Sequence, residues 1–156
     1  MSKPHRASTR PPSPTSFRFA VLDRVSIVEW IGTPSAADVD RVIDLLASEA
    51  ARRGKFRSFV VIVSSRASMP DHDGRLAYIR NVDRTMLHCD RLQIVLAGMP
   101  FINAFARGLV TTANVVPRYR GRVSVEDTLE RCTAALALEL GRRPEELHRA
   151  ITTALA

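Results

Sequence analysis

The stretch FRSFVVIVSS, residues 56–65, constrains the fold more than any other segment of the chain. It is rich in β-branched and aromatic residues and shows no alternation of apolar and polar side chains. A strand of that kind is covered on both faces, as in a parallel sheet packed between helices. RLQIVLAG, residues 91–98, is a second run of the same type. Parallel neighbours need long crossover connections, usually helical, so the segments between these runs are expected to carry helices.

The periodicity of the intervening segments agrees. FRFAVLD (17–23) alternates, with Phe17, Phe19 and Val21 on one face, and VSIVEWIG (25–32) follows the Asp23-Arg24 turn as the second arm of an antiparallel hairpin. Gly32-Thr33-Pro34 breaks the strand, and Ser35 with Asp38 forms a capping-box-like start to a helix. Val39, Val42, Ile43, Leu46 and Ala50 give that helix one apolar face, and Gly54 closes it. Past the loop RASMP (66–70), Leu76, Ile79, Val82 or Asp83, and Met86 carry a second helix to about His88. Pro100 opens a third, through Phe101, Ile102, Phe105 and Leu109 to about Val116, and Pro117 stops it. RYRGRVSV (118–125) reads as a short edge strand. A fourth helix with Val125, Leu129, Cys132, Leu136 and Leu140 on one face starts from Ser124–Asp127 and ends at Gly141. A short last helix carries Leu147, Ile151 and Leu155.

The expected architecture is therefore α/β: an open, mixed but mainly parallel sheet of about five strands, in the order ββαβαβαβα, with helices packed on it. Residues 17–156 form a single domain including the short C-terminal helix. Residues 1–16 form a basic tail with four prolines and four serines, too poor in apolar side chains to build a core.

Composition bounds the function. The 156 residues carry a net charge of +7, and three of the basic residues lie in the tail. Elsewhere arginines interleave with acids along the helices, the pattern of a solvated surface. Cys89 and Cys132 lack a C-x-x-C spacing, there is no apolar leader, and the longest apolar run is too short to span a bilayer, so a cytoplasmic setting is expected. The chain has no phosphate-binding G-x-x-x-x-G-K-[ST], no G-x-G-x-x-G after a strand and no G-x-S-x-G elbow. His88-Cys89-Asp90 are sequence neighbours at a helix end rather than a positioned nucleophile and base. Asp71, His72 and Asp73 cannot all point at one ion from adjacent helical positions. No catalytic residue, cofactor or metal site is expected, and an enzyme is the last reading.

Three features carry a resemblance. They are the order of elements over residues 17–140, the hairpin ending at Gly32 before a Thr-Pro helix start, and the late strand running into Val123-Ser-Val-Glu-Asp-Thr-Leu129. On these, the chain resembles the STAS domains, the fold of the anti-sigma factor antagonists and of the related SpoIIAA-like and STAS/SEC14 proteins. The resemblance implies a non-enzymatic regulatory module that binds another protein. The antagonists open their second helix with D-S-S-G and are phosphorylated on a serine there. This chain has Asp71-His72-Asp73-Gly74, which keeps the first and last residues and replaces both serines, so the phosphorylation site does not carry over. Asp73 would bring part of a phosphate's charge to the helix N-terminus. The simpler role for both acids is to start the helix.

The expected interaction surface comprises Ser68, Asp71, His72, Asp73, Gly74 and Arg75, with Phe101 and Phe105 of the adjoining third helix. The alternative is a small-ligand or lipid-binding domain, with an apolar pocket near the third helix and anion contacts from Arg118, Arg120 and Arg122, which period two would place on one strand face. Nucleic-acid binding through the tail and those arginines ranks behind both. An edge strand and surplus apolar residues permit a homodimer. Trp30 is left open between core and surface anchor.

Overall fold

A computed structural model describes residues 16–96 and 100–156, with the side chains of residues 100–103 and 105 outside the described set. The expected tail, up to residue 15, and the expected contacts of Phe101 and Phe105 lie outside the described residues. The elements are β1 (Phe17–Leu22), β2 (Val25–Trp30), α1 (Ala36–Arg53), β3 (Phe56–Val63), α2 (His72–Met86), β4 (Cys89–Leu96), α3 (Pro100–Val115), a single 3₁₀ turn (Pro117–Tyr119), β5 (Val123–Glu126), α4 (Leu129–Leu140) and α5 (Pro144–Leu155).

The strands lie side by side in chain order, β1-β2-β3-β4-β5. β1 pairs antiparallel with β2 across the Asp23-Arg24 turn, where Asp23 takes a φ of 51°. The remaining pairs are parallel. Each parallel connection steps to the next strand in the same direction. Right-handed crossovers must then place α1, α2 and α3 on one face of the sheet. The core divides accordingly. Val28, Trp30, Phe59, Val61, Ile94 and Leu96 pack under these three helices. Val25, Ile27, Val60, Ile62 and Val95 pack under α4 and α5. Both faces of β2, β3 and β4 are thus covered, which accounts for the unbroken apolar runs.

α1 follows the sequence reading residue by residue. Ser35 caps it by accepting from Asp38 N, and Val39, Val42, Ile43, Leu46 and Ala50 are its buried side chains. Trp30 is core, 1% exposed, with Phe17 edge-on at 5.4 Å between ring centroids. Ser16 ties the start of β1 to α1 and to the end of β2. Ser16 donates its hydroxyl to Asp38 at 2.7 Å, and its carbonyl accepts from Ile31 and Gly32.

Four readings need correction. The strand expected over 118–125 is β5, beginning only at Val123. Pro117 initiates the 3₁₀ turn and Gly121 takes a φ of 74°, so Arg118, Arg120 and Arg122 occupy a turn and its exit rather than one strand face. α4 is capped by Thr128 and Val125 belongs to β5, because Val125 pairs in register with Ile94. Cys89 is the first residue of β4, opposite Phe56, instead of a helix end. The inward face of α2 is also rotated from the expected one. Ala77, Asn81, Thr85 and Met86 are buried, while Leu76 and Ile79 are not.

Candidate interaction surface at the start of the second helix

The loops leaving β2 and β3 run side by side at the carboxyl ends of the parallel strands. Ser64 N donates to Trp30 O at 3.0 Å, and the Thr33 and Ser68 hydroxyls are hydrogen-bonded to each other. Ala67 is buried beneath them, whereas Ser68 is exposed. This pairing holds the starts of α1 and α2 close together.

Asp71 is the N-cap of α2. Its Oδ1 accepts from Gly74 N at 2.8 Å, which satisfies one of the donors a helix leaves open at its start. Gly74 lies where α2 meets the Pro34 backbone, a site with no room for a side chain. Arg75 folds back to donate to Pro70 O at 3.1 Å. His72 and Asp73 are exposed in the first turn, with Asp73 placed where the helix dipole favours an acid. The structure thus brings Ser68, Asp71, His72, Asp73, Gly74 and Arg75 into one region. Asp71, Gly74 and Arg75 are engaged in building it.

The residues that the sequence did not single out for this surface are apolar. Met69 is 38% exposed, Leu76 45% and Ile79 54%. They follow one another from the loop into α2, and Leu76 and Ile79 share a helical face by their i, i+3 spacing. The available signal was the alternative helical phase Ala77, Asn81 and Thr85. Small or polar residues on that row fit a close helix–helix contact with α1. There the Asn81 amide donates to Asp40 at 2.8 Å and to Ala77 O at 2.8 Å, and Arg80 donates to Asp40 at 3.3 Å. The Asn81 hydrogen bond, and then Arg80, hold the Asp40 carboxyl below its ordinary pKa.

The arginines after α3 are mostly spent on structure. Arg122 donates to four backbone carbonyls: Asp90 at 2.8 Å, Cys89 at 3.0 Å, Arg118 at 3.2 Å and Met86 at 3.3 Å. Arg118 donates to Asp83 at 2.9 Å and lies 4.9 Å from the centre of the Tyr119 ring. Tyr119 also donates to Asp83, and this bond, followed by Arg118, lowers the Asp83 pKa. Arg120 is exposed.

Neither cysteine is built for nucleophilic chemistry. Both are buried and free, and burial pushes both thiols up to about 12. Burial, followed by Arg84, lowers the pKa of His88. Among the described residues no three His, Cys, Asp or Glu side chains cluster as metal ligands. No helix among them is long and apolar enough to cross a membrane.

No protein-family model matches the chain, and no curated protein is significantly similar to it. Among solved structures it is similar to the anti-sigma factor antagonist SpoIIAA in its unphosphorylated form. The sequences are 14% identical and the TM-score is 0.48, over 77% of this chain and 96% of that chain.

Proposed function

We propose that the chain is a non-enzymatic, cytoplasmic regulatory module that binds another protein through the Ser68–Arg75 segment and the outer face of α2. The observation that carries this reading is the exposure of Met69, Leu76 and Ile79 beside a rigid, capped helix start. Large apolar side chains grouped on a surface mark sites of association more often than singly scattered ones do. The neighbouring His72, Asp73 and Arg80 supply a charged rim, the usual surround of a protein–protein contact. The buried, protonated thiols are consistent with a role in which no covalent chemistry is performed.

The test is affinity purification from the protein's own cells with gentle cross-linking, comparing the parent chain with a Leu76→Asp/Ile79→Asp double variant. A stoichiometric protein partner that is retained by the parent and lost by the folded double variant supports the reading. Leu138→Asp is the control, since Leu138 is the most exposed large apolar residue of α4, on the opposite layer. Equal retention by all three proteins sinks it.

A further inference from the structure

We infer that the seam between α2, α3 and the sheet is a binding site for a small, neutral, apolar molecule of about the size of a single aromatic ring. The structure contains a partly enclosed cavity of about 100 Å³ there. Its floor is the sheet, at Val61, Ile94 and Leu96, its walls include Tyr78 and Val82 of α2 and Ala106 of α3, and it reaches under α1 at Val39 and Val42.

The packing explains why the space exists. α1 and α2 pack closely on each other, bound by the Asp40 contacts described above. α3 instead rests on β4, β5 and the 3₁₀ turn. The residues that α3 buries toward the sheet include Ala106 and Ala113, whose methyl groups are too short to reach across to α2. Among the described residues, a seam therefore remains where α3 stands beside the α1–α2 pair.

The lining decides the chemistry of the occupant. Among the described residues no charged side chain lines the cavity. The Asn81 amide and the Thr85 hydroxyl are turned to Asp40 and to backbone carbonyls, the Ser68 hydroxyl is bound to that of Thr33, and the Trp30 indole N–H and the Tyr78 hydroxyl are neutral. Among the described residues a carboxylate, phosphate or ammonium group would find no charged partner inside, and burying a charge without one is prohibitive. Arg118 and Arg122 are committed to Asp83 and to backbone carbonyls, so they do not supply an anionic head with a contact here. Apolar cavities of the same order, roughly 150 Å³, stay dry and admit benzene or xenon. Dispersion contacts that the lining atoms lack when the space is empty are restored by such a ligand.

Benzene is the probe. Trp30 is the one tryptophan of the chain and lines the cavity, so its emission reports occupancy directly. The expected result has two parts: a saturable change in Trp30 emission, and a rise in Tm that grows with benzene concentration as linkage requires. Methyl NMR on the parent chain should place the perturbed signals at Val61, Val82, Ile94, Leu96 and Ala106. Ala106→Leu fills the space and should weaken benzene binding about tenfold or more. Ala113→Val is the second filling variant should the first not fold. Gly108→Ala, at an exposed position with open space around it, should bind as the parent does. A non-saturable response, perturbed methyls away from the cavity, or undiminished binding by a folded filling variant would each overturn the inference. None of these outcomes depends on whether the outer face of α2 binds a protein.

Discussion

Gly74 is in contact with the backbone of Pro34: a Cβ on this glycine would stand 2.9 Å from the Pro34 carbonyl oxygen. It would also meet Pro70 Cβ at 3.0 Å and Asp71 Oδ1 at 3.2 Å. The obstruction is mostly backbone and a proline ring, neither of which can rotate away. Gly74→Ala should therefore destabilise the fold by about 1–3 kcal/mol, even though alanine is the better helix former. Urea unfolding of the variant measures the cost. An unchanged midpoint would mean that the two helix starts are not locked together as described.

Asp71 should act through its cap. Asp71→Ala should cost about 1 kcal/mol, whereas Asp71→Asn, which can still accept from Gly74 N, should cost only a few tenths. Thermal unfolding distinguishes the two. If Asn and Ala were equally harmful, the carboxylate charge rather than the hydrogen bond would be the active feature.

Leu76 and Ile79 should be replaceable without loss of fold. Leu76→Asp and Ile79→Asp are each expected within about 0.5 kcal/mol of the parent chain. Leucine at Ala77, which is fully buried, should instead overpack the helix against its neighbours and cost roughly 1–3 kcal/mol. Denaturant midpoints for the three variants check the orientation of α2.

Arg122 and Arg120 should behave as opposites. Removing the Arg122 guanidinium deprives four carbonyls of their donor, and Arg122→Ala is expected to cost about 1.5–3 kcal/mol. Arg120→Ala should be nearly silent in the same unfolding experiment. Comparable effects at the two positions would contradict the assignment.

The thiols give a pH prediction. Their ordinary value is 9.0, and burial raises both to about 12 in the folded chain. Above pH 9 the unfolded chain loses those protons while the folded chain keeps them, so stability should fall as pH rises from about 9 toward 12. Below that window the two groups should contribute no pH dependence. Cys89→Ala/Cys132→Ala should flatten this part of the profile. At pH 8 the folded parent should resist alkylation until denaturant is added.

How much of this was legible in the sequence varied with how one-sided each segment is. α1 could be read to the residue because its apolar side chains occupy a single row, Ser35 caps its start and a glycine ends it. α2 could be located but not oriented. Its inner row, Ala77, Asn81 and Thr85, is small and polar because it meets another helix through hydrogen bonds, and the larger Leu76 and Ile79 mimic a core face. Arg118, Arg120 and Arg122 imitate the period of a strand. The decisive signals were Pro117, which begins a tight turn, and Gly121, which takes a left-handed φ. The committed roles of Arg122 and Arg118 were invisible, since their partners are backbone carbonyls and an aspartate 35 positions away. The cavity depends on how far α3 stands from α2, a distance that no local pattern encodes.

The one-way march of the strands has a consequence for how the molecule is made. Residues up to Glu126 complete the sheet and the layer of α1, α2 and α3. The other side, with Val25, Ile27, Val60, Ile62 and Val95, waits for α4 and α5, and Leu155 is among the residues that seal it. On the ribosome that greasy surface, with the Ser58–Gln93 hydrogen bond set into it, stays uncovered until α4 and α5 have cleared the exit tunnel. A nascent chain halted near residue 128 should be a client for chaperones, while one with α4 and α5 outside the tunnel should not.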